Sequence, residues 1–255
     1  GNPNRGAGDR CYPVCYTRQG ASGDVMVKVD EVRIKMLSNL GATHVAVRAT
    51  GTIGDEAITL AEPTPATATI AGDYIVATSL ESTDRIPAVI SHSRIILHWQ
   101  VSLDGGAWID AGTSVNTAYI TWDDPLVAAP FETCLYIGCK AADGTRGTDG
   151  AAIIEAVWSE FEDRDVRRAD GTQLHYYQDY LTPHTTTSRL LANGDGQCRA
   201  WAEFFLDTLR AQHIASGCHV KVRPLGDQGF FVNNWSFDAG GGTSGDPVYP
   251  YLNLG

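Results

Sequence analysis

The chain has 255 residues, of which 43% are hydrophobic and 19% are charged, so it can bury at least one sizeable core. Its 30 acidic and 19 basic residues give a formal net charge of -11, which excludes the broad positive field that a phosphate backbone attracts. Nucleic acid is therefore not expected as a partner. No apolar run is long enough for a membrane span, and the opening GNPNRGAGDRCYPVC has no apolar core of a signal peptide. Because the chain opens with Gly, we expect it to have been processed or cut from a longer parent.

The front half has the pattern of an all-β structure. Residues 24–142 contain short apolar alternations broken by Gly, Pro, Asp and Thr, which are typical of a sandwich or barrel. In RIILHWQVSLDGGAWIDAG, apolar residues alternate up to Leu103, Asp104-Gly105-Gly106 forms a turn and Trp108 opens the return strand, which predicts a hairpin. Further strands are predicted at 117–122 and 131–139. We expect a β region at 1–80, which would be a separate small unit, and a second β unit at 81–143.

The hairpin carries a first resemblance to a known class of module. Its S-x-D-G-G-x-W motif, running from Ser102 to Trp108, resembles hairpins of the immunoglobulin-like β-sandwich modules of bacterial surface proteins. The resemblance implies an immunoglobulin-like sandwich over 81–143 and an extracellular or cell-surface location.

The composition changes after Gly144, where two helices are predicted. TDGAAIIEAVWSEFED has Thr148 or Asp149 placed as an N-terminal cap, followed by apolar residues at helical spacing. RAWAEFFLDTLRAQ is the strongest helical pattern of the chain, with an apolar stripe that includes Phe204 and Leu209. After it, CHVKVRPL and GFFVNNWSF alternate as an antiparallel strand pair. We therefore expect an α+β domain over 144–255, and expect it to be incomplete at its C-terminal end.

The cysteines and acidic residues predict no metal site and no cofactor. The six cysteines stand at positions 11, 15, 134, 139, 198 and 218. Their spacing fits no zinc motif, and an even count leaves up to three disulfides open in an exported protein. Cys134 and Cys139 would point to opposite faces of the strand predicted there, so we do not expect them to pair with each other. Asp143, Asp149 and Glu155 lack the ligand alternation of a calcium loop and favour a turn with a helix cap.

Cys198 is the candidate nucleophile. Asn193-Gly194-Asp195-Gly196 can form a tight turn that leads directly into the second predicted helix, with Cys198 at its start. Unsatisfied N–H groups and the positive end of the helix dipole favour an anion there, first a thiolate and later an oxyanion. The alternative is that Cys198 is a small residue that fits under a packed turn.

These residues also carry a second resemblance. LLANGDGQCRAWAEFFLDTLRAQHI resembles the nucleophile segment of the transglutaminase-like superfamily, with Gly196-Gln197-Cys198 matching its G-x-C motif. The resemblance implies a papain-like α+β fold in which Cys198 attacks an amide carbonyl, a His acts as base and acid, and an Asp or Asn orients that His. The function it implies is a cysteine acyltransferase or amide hydrolase of a surface or secreted bacterial protein, acting on protein or peptide substrates.

The histidines depart from the pattern that the resemblance implies. The family's His lies on strands after the helix, but only His213 and His219 follow Cys198, and His213 lies too far along the helix to touch it. Either the His lies beyond residue 255 in a longer parent, or the chain is an inactive relative. In the second case it would be a structural or adhesive module whose partners are neighbouring subunits of a larger extracellular assembly or filament. His175 and His184 are interpreted as exposed loop residues, with the lining of a substrate cleft as the alternative.

Overall fold

A computed structural model describes residues 14–18, 20–21, 26–37, 41–61, 64–146, 149–162, 165–176 and 184–215. The strands are β1 (Val14–Thr17), β2 (Met26–Lys35), β3 (Val45–Ile53), β4 (Glu56–Leu60), β5 (Ala66–Ala71), β6 (Tyr74–Arg85), β7 (Ser91–Leu103), β8 (Ile109–Thr121), β9 (His175–Tyr176) and β10 (Asp195–Gly196). The helices are α1 (Glu132–Ala141), α2 (Gly150–Glu162), α3 (Thr187–Asn193) and α4 (Cys198–Ala211).

Eight strands form one curled sheet that encloses the first core. Their order is β1-β8-β7-β3-β4-β6-β2, and β5 pairs with both β3 and β6. Along one edge of β3, residues 49–53 pair with β4 and residues 45–47 pair with β5, so the two short strands lie end to end between β3 and β6. Alternate apolar side chains of these strands point into the enclosed space and are buried. They include Val47, Ala49, Ile58, Ile75, Leu97 and Trp99.

The predicted hairpin over residues 94–112 is confirmed as the meeting of β7 and β8. Asp104 and Gly105 both have positive φ, 47° and 74°, as the two central residues of a type I′ turn require, and the Gly106 N–H donates to the Leu103 carbonyl at 2.8 Å. The Asp104 carboxylate accepts hydrogen bonds from the N–H groups of Thr43 and His44, at 3.0 and 2.8 Å. The pKa of Asp104 is held below its ordinary value, most by the bond from the His44 N–H and next by those from the Thr43 hydroxyl and N–H. The turn is thereby attached to the segment that leads into β3.

The four helices pack together around a second core, which β7 and β8 border on one side. Tyr119 of β8 is buried in this core, and its hydroxyl donates a hydrogen bond of 2.9 Å to the carboxylate of the buried Glu132 at the start of α1. At the end of α4, the buried Gln212 accepts from the Trp122 N–H at 3.0 Å and donates to Cys139 Sγ at 3.3 Å. These bonds anchor the C-terminal end of α4 to α1 and to the end of β8.

Both helices predicted from periodicity are confirmed. TDGAAIIEAVWSEFED contains α2, and the Asp149 carboxylate accepts the Ala151 N–H at 3.0 Å, so Asp149 is the predicted cap. RAWAEFFLDTLRAQ contains α4, whose Phe204, Thr208 and Leu209 are buried. The structure adds α3, a helix of 7 residues that the sequence did not predict.

The strand predicted at 131–139 is wrong, because this segment is the helix α1. Seven of the ten α1 residues are buried, so nearly every side of the helix faces protein. A helix that is buried all round reads as a continuous apolar run, which periodicity cannot distinguish from a buried strand. Cys134 and Cys139 are both buried as free thiols in α1.

The predicted fold class, a multidomain arrangement of an immunoglobulin-like sandwich and a papain-like α+β domain, is wrong. The β part is a curled, barrel-like sheet rather than a sandwich module, and the described residues around Cys198 form four short helices. Residues 80 and 81, where a division was expected, both lie inside β6. The strand pair expected within 218–237 lies outside the described residues.

Candidate functional site

The turn that leads into α4 depends on two glycines. Gly194 ends α3 with a φ of 80°, and its N–H donates to the Leu190 carbonyl at 2.9 Å. This left-handed conformation is one that glycine adopts at little cost. A Cβ on Gly196 would lie 3.0 Å from both Ala200 Cβ and Leu190 Cδ1, which is closer than side chains ordinarily pack. The turn therefore brings the chain tightly past α3 before α4 begins.

Cys198 is the first residue of α4, as predicted, and it is exposed. The preceding Gln197 is the N-cap residue in extended conformation, and its side chain makes no capping hydrogen bond. The first intrahelical bond runs from the Trp201 N–H to the Gln197 carbonyl at 3.1 Å. Because a helix leaves its first N–H groups without intrahelical partners, the thiol stands beside donors that can stabilise negative charge.

His184 and Asp195 form a hydrogen-bonded pair beside this turn. The Nδ1 atom of His184 contacts the Oδ1 atom of Asp195, and the two side chains are 18% and 28% exposed. The main chain of His184 is also held here, since its carbonyl accepts the Gln197 N–H at 2.9 Å. His184 is thus bonded to Asp195 through its side chain and to Gln197 through its main chain. Cys198 directly follows Gln197 in the sequence. The structure thus pairs an imidazole with a carboxylate on the turn that leads to Cys198.

Three further histidines occur in the C-terminal part of the chain, at positions 175, 213 and 219. His175 is exposed in β9, where it stands opposite Asp195 and donates its N–H to the Gly194 carbonyl at 2.9 Å. His213 follows the end of α4, about 22 Å along the helix axis from Cys198, which confirms that it cannot reach the thiol. Its Nδ1 contacts the carbonyl of Asp124 at 2.5 Å. His219 lies outside the described residues.

Cys198 differs from the other described cysteines in its exposure. Cys15 is half-buried, and Cys134 and Cys139 are buried. Burial raises the pKa of Cys15 to about 12 and raises that of Cys139 further, so neither is ionised near neutral pH. All four are free thiols in the structure, while Cys11 and Cys218 lie outside the described residues, as do the pairings they would make.

Away from this turn, the described residues contain one charged cleft and no metal-binding cluster. They contain no group of three or more His, Cys, Asp or Glu side chains arranged to hold a metal ion. A cleft of about 240 Å³ lies between α1 and α2, and its charged lining residues include two ion pairs, Lys140 with Glu160 and Arg167 with Asp165. None of its lining residues comes from α3 or α4, so it is separate from the thiol.

Sequence reasoning located Cys198 but missed the pair beside it. His184 was interpreted as an exposed loop residue, whereas its side chain is mostly buried against Asp195. The signal that could have revealed the contact was the helix between them, in which Thr186 caps the N-terminus and Gly194 ends the C-terminus.

No helix in the described part of the chain is long and apolar enough to cross a membrane, which agrees with the expectation of no membrane span. Compared with known protein-family models, curated proteins and solved structures, the chain matches none of them.

Proposed function

We propose that the protein is a thiol-dependent acyltransferase or amide hydrolase that acts on protein or peptide substrates, with Cys198 as its nucleophile. One observation carries the proposal: an exposed thiol stands at the start of α4, a helix of 14 residues whose N-cap side chain makes no hydrogen bond. Such positions favour the thiolate, which is the reactive form of cysteine. The resemblance of Gly196-Gln197-Cys198 to the transglutaminase-like nucleophile motif supports the proposal independently of the predicted fold.

The reaction has two stages. The Cys198 thiol loses its proton, and Sγ bonds to the amide carbonyl carbon, whose oxygen becomes an oxyanion. The C–N bond then breaks, the nitrogen takes up a proton and leaves as an amine, and a thioester remains on Cys198. In the second stage, water or a second amine attacks the thioester carbonyl and loses a proton, and the C–S bond breaks. Water gives hydrolysis, and an amine gives acyl transfer.

The helix N-terminus supplies the charge stabilisation that both stages need. The first N–H groups of α4 have no intrahelical partners, so they can donate hydrogen bonds to an oxyanion that forms beside Cys198. The same groups stabilise the resting thiolate through the helix dipole.

The proposal predicts that Cys198 reacts with iodoacetamide faster than an ordinary cysteine. At pH 6.5 an unperturbed thiol with a pKa of about 8.5 is only about 1% ionised, so an N-terminal helix position should raise the alkylation rate of Cys198 at least about tenfold. The measurement is the rate for each cysteine, obtained by mass spectrometry of the native protein. The buried Cys139 should remain unlabelled on this timescale.

Two references separate activation from simple exposure. The first is Cys198 itself in protein unfolded by urea. The second is a cysteine introduced by Glu155→Cys, an exposed position in the middle of α2 where no helix terminus acts on the thiol. If native Cys198 labels no faster than either reference, it is a packing residue, and the structural or adhesive function takes precedence.

A further inference from the structure

We propose that Cys15 and Cys139 are a disulfide-forming pair, and that their oxidation fastens the strand β1 to the helix α1. Both are free thiols in the structure, which therefore describes the reduced form of the pair. Neither thiol takes part in the reaction proposed for Cys198, so this inference goes beyond the proposed function and does not depend on it.

The Cys15 side chain faces the helices. The strand β1 pairs with β8 in parallel, with Cys15 opposite Tyr119, and opposed residues of a sheet point to the same face. Tyr119 is buried in the second core, and Cys15 packs against that core. The Cys15 thiol also forms a hydrogen bond with the side chain of Thr121, which lies two residues further along β8 and hence on the same face.

Cys139 reaches the same stretch of β8 from α1. Its side chain is fully buried, and its Sγ donates a hydrogen bond to the Ile120 carbonyl at 3.3 Å. Ile120 directly precedes Thr121, so the two sulfur atoms contact atoms of adjacent residues. Repulsion from the charge of a Cys15 thiolate is the second cause, after burial, that raises the pKa of Cys139. The two thiols therefore lie close together against one short segment of β8.

Thiol–disulfide exchange with a small disulfide, such as oxidised glutathione, would form the bond. The thiolate of one cysteine attacks a glutathione sulfur, and a mixed disulfide forms as one glutathione leaves. The thiolate of the other cysteine then attacks the protein sulfur of that mixed disulfide, and the second glutathione leaves. The protein loses two protons and two electrons, and the oxidant is reduced to two thiols.

Burial determines when this exchange is fast. It raises the pKa of Cys15 to about 12 and that of Cys139 further, so the native protein contains very little of either thiolate. In the unfolded chain both thiols have ordinary pKa values. We therefore expect the bond to form rapidly during folding in the presence of the oxidant and slowly in protein that is already folded.

The strand β1 can make the adjustment that the bond requires. A disulfide holds its two Cα atoms about 4.4–6.8 Å apart. β1 has only four residues and stands at the end of the sheet, where β8 is its one strand partner in the described part of the chain. The closed loop would contain β2 to β8, and a loop of that length strongly restricts the unfolded chain.

The test is to refold the full chain from urea in a mixture of reduced and oxidised glutathione, alkylate the remaining thiols and map the disulfides by tandem mass spectrometry. The expected product joins Cys15 to Cys139 and melts at least about 5 °C above the reduced protein. Cys15→Ser should abolish both the bond and the increase in melting temperature. Cys134→Ser is the matched control, because it removes the other buried thiol of α1 and should leave both unchanged.

The inference is overturned if Cys15 and Cys139 both remain reduced, or if either of them pairs with Cys11 or Cys218 instead. Should a variant fail to fold, reduction of the oxidised wild type with dithiothreitol provides the second measurement. It should release the two thiols together and return the melting temperature to that of the reduced protein, and an unchanged melting temperature contradicts the fastening of β1 to α1. None of these results bears on the proposed role of Cys198.

Discussion

Gly51→Ala is expected to destabilise the protein more than any other single methyl addition among the described glycines. Gly51 lies in β3 between Ile58 of β4 and Leu97 of β7. A Cβ there would lie 1.8 Å from the carbonyl oxygen of Ile96, which belongs to the backbone of β7. A backbone atom cannot rotate away as a side chain can, so the central pairing of the sheet must open. We expect the free energy of unfolding to fall by about 3 kcal/mol or more.

Urea denaturation measures this loss, and Gly150→Ala provides its matched control. Gly150 is the first residue of α2, and the nearest atom to its added Cβ is Trp122 Cη2 at 3.6 Å, an ordinary contact. Because alanine favours helix, this variant should be as stable as the wild type or up to about 1 kcal/mol more stable. The sheet pairing described here is incorrect if both variants unfold at the wild-type urea concentration.

Phe204→Ala should cost about 3–5 kcal/mol, the usual range for removing a fully buried aromatic side chain. Phe204 is 0% exposed, and its ring centroid lies 5.2 Å from that of Phe161 and 6.1 Å from that of Trp201. The cavity would lie directly beneath α4, the helix that positions Cys198. We therefore expect slower alkylation of Cys198 together with the loss of stability, measured by thermal or urea unfolding.

The control is Phe205→Ala, which removes the same side chain from the next position of the same helix. Phe205 is half-buried at the edge of the aromatic cluster, where its ring meets Trp158 and Phe161 at 5.6 and 5.4 Å. Phe205→Ala removes less buried apolar surface than Phe204→Ala does. We therefore expect it to lower the free energy of unfolding by less than half as much. An equal loss in both variants would contradict the described orientation of α4.

The elements that could be predicted are those encoded by their own local sequence pattern. The hairpin of β7 and β8 follows from alternation and from Asp104-Gly105-Gly106, which can adopt the positive φ values of the turn. The helices α2 and α4 follow from apolar residues at helical spacing. In these segments the pattern faces one core from one side, so its period is visible.

Elements that depend on distant neighbours were not predictable in this way. The helix α1 contacts β7, β8, α2 and α4, so its sequence shows an apolar run without a clear period. The strands β4 and β5 pair along the same edge of β3, and this arrangement depends on residues in several separate strands. No local pattern in 131–139 encodes the packing of α1, and none in 45–53 encodes the pairing of β3 with β4 and β5.

The candidate site shows the same division. The position of Cys198 follows from a glycine turn directly before a helical pattern, and the structure places it there. The contact between His184 and Asp195 joins residues that are 11 positions apart across α3. Without that helix the two side chains have no evident relation in the sequence, which is why the imidazole was assigned to a loop.

The central claim, that Cys198 is an acyl-accepting nucleophile, is tested most directly with an activated ester. On mixing the protein with p-nitrophenyl acetate, the acetyl group should pass to Cys198 Sγ and release about one equivalent of p-nitrophenol per chain in a rapid burst. Mass spectrometry should find the acetyl group on the Cys198 peptide, and Cys198→Ala should abolish the burst while keeping the fold. The claim would be contradicted if Cys198→Ala released p-nitrophenol as fast as the wild type.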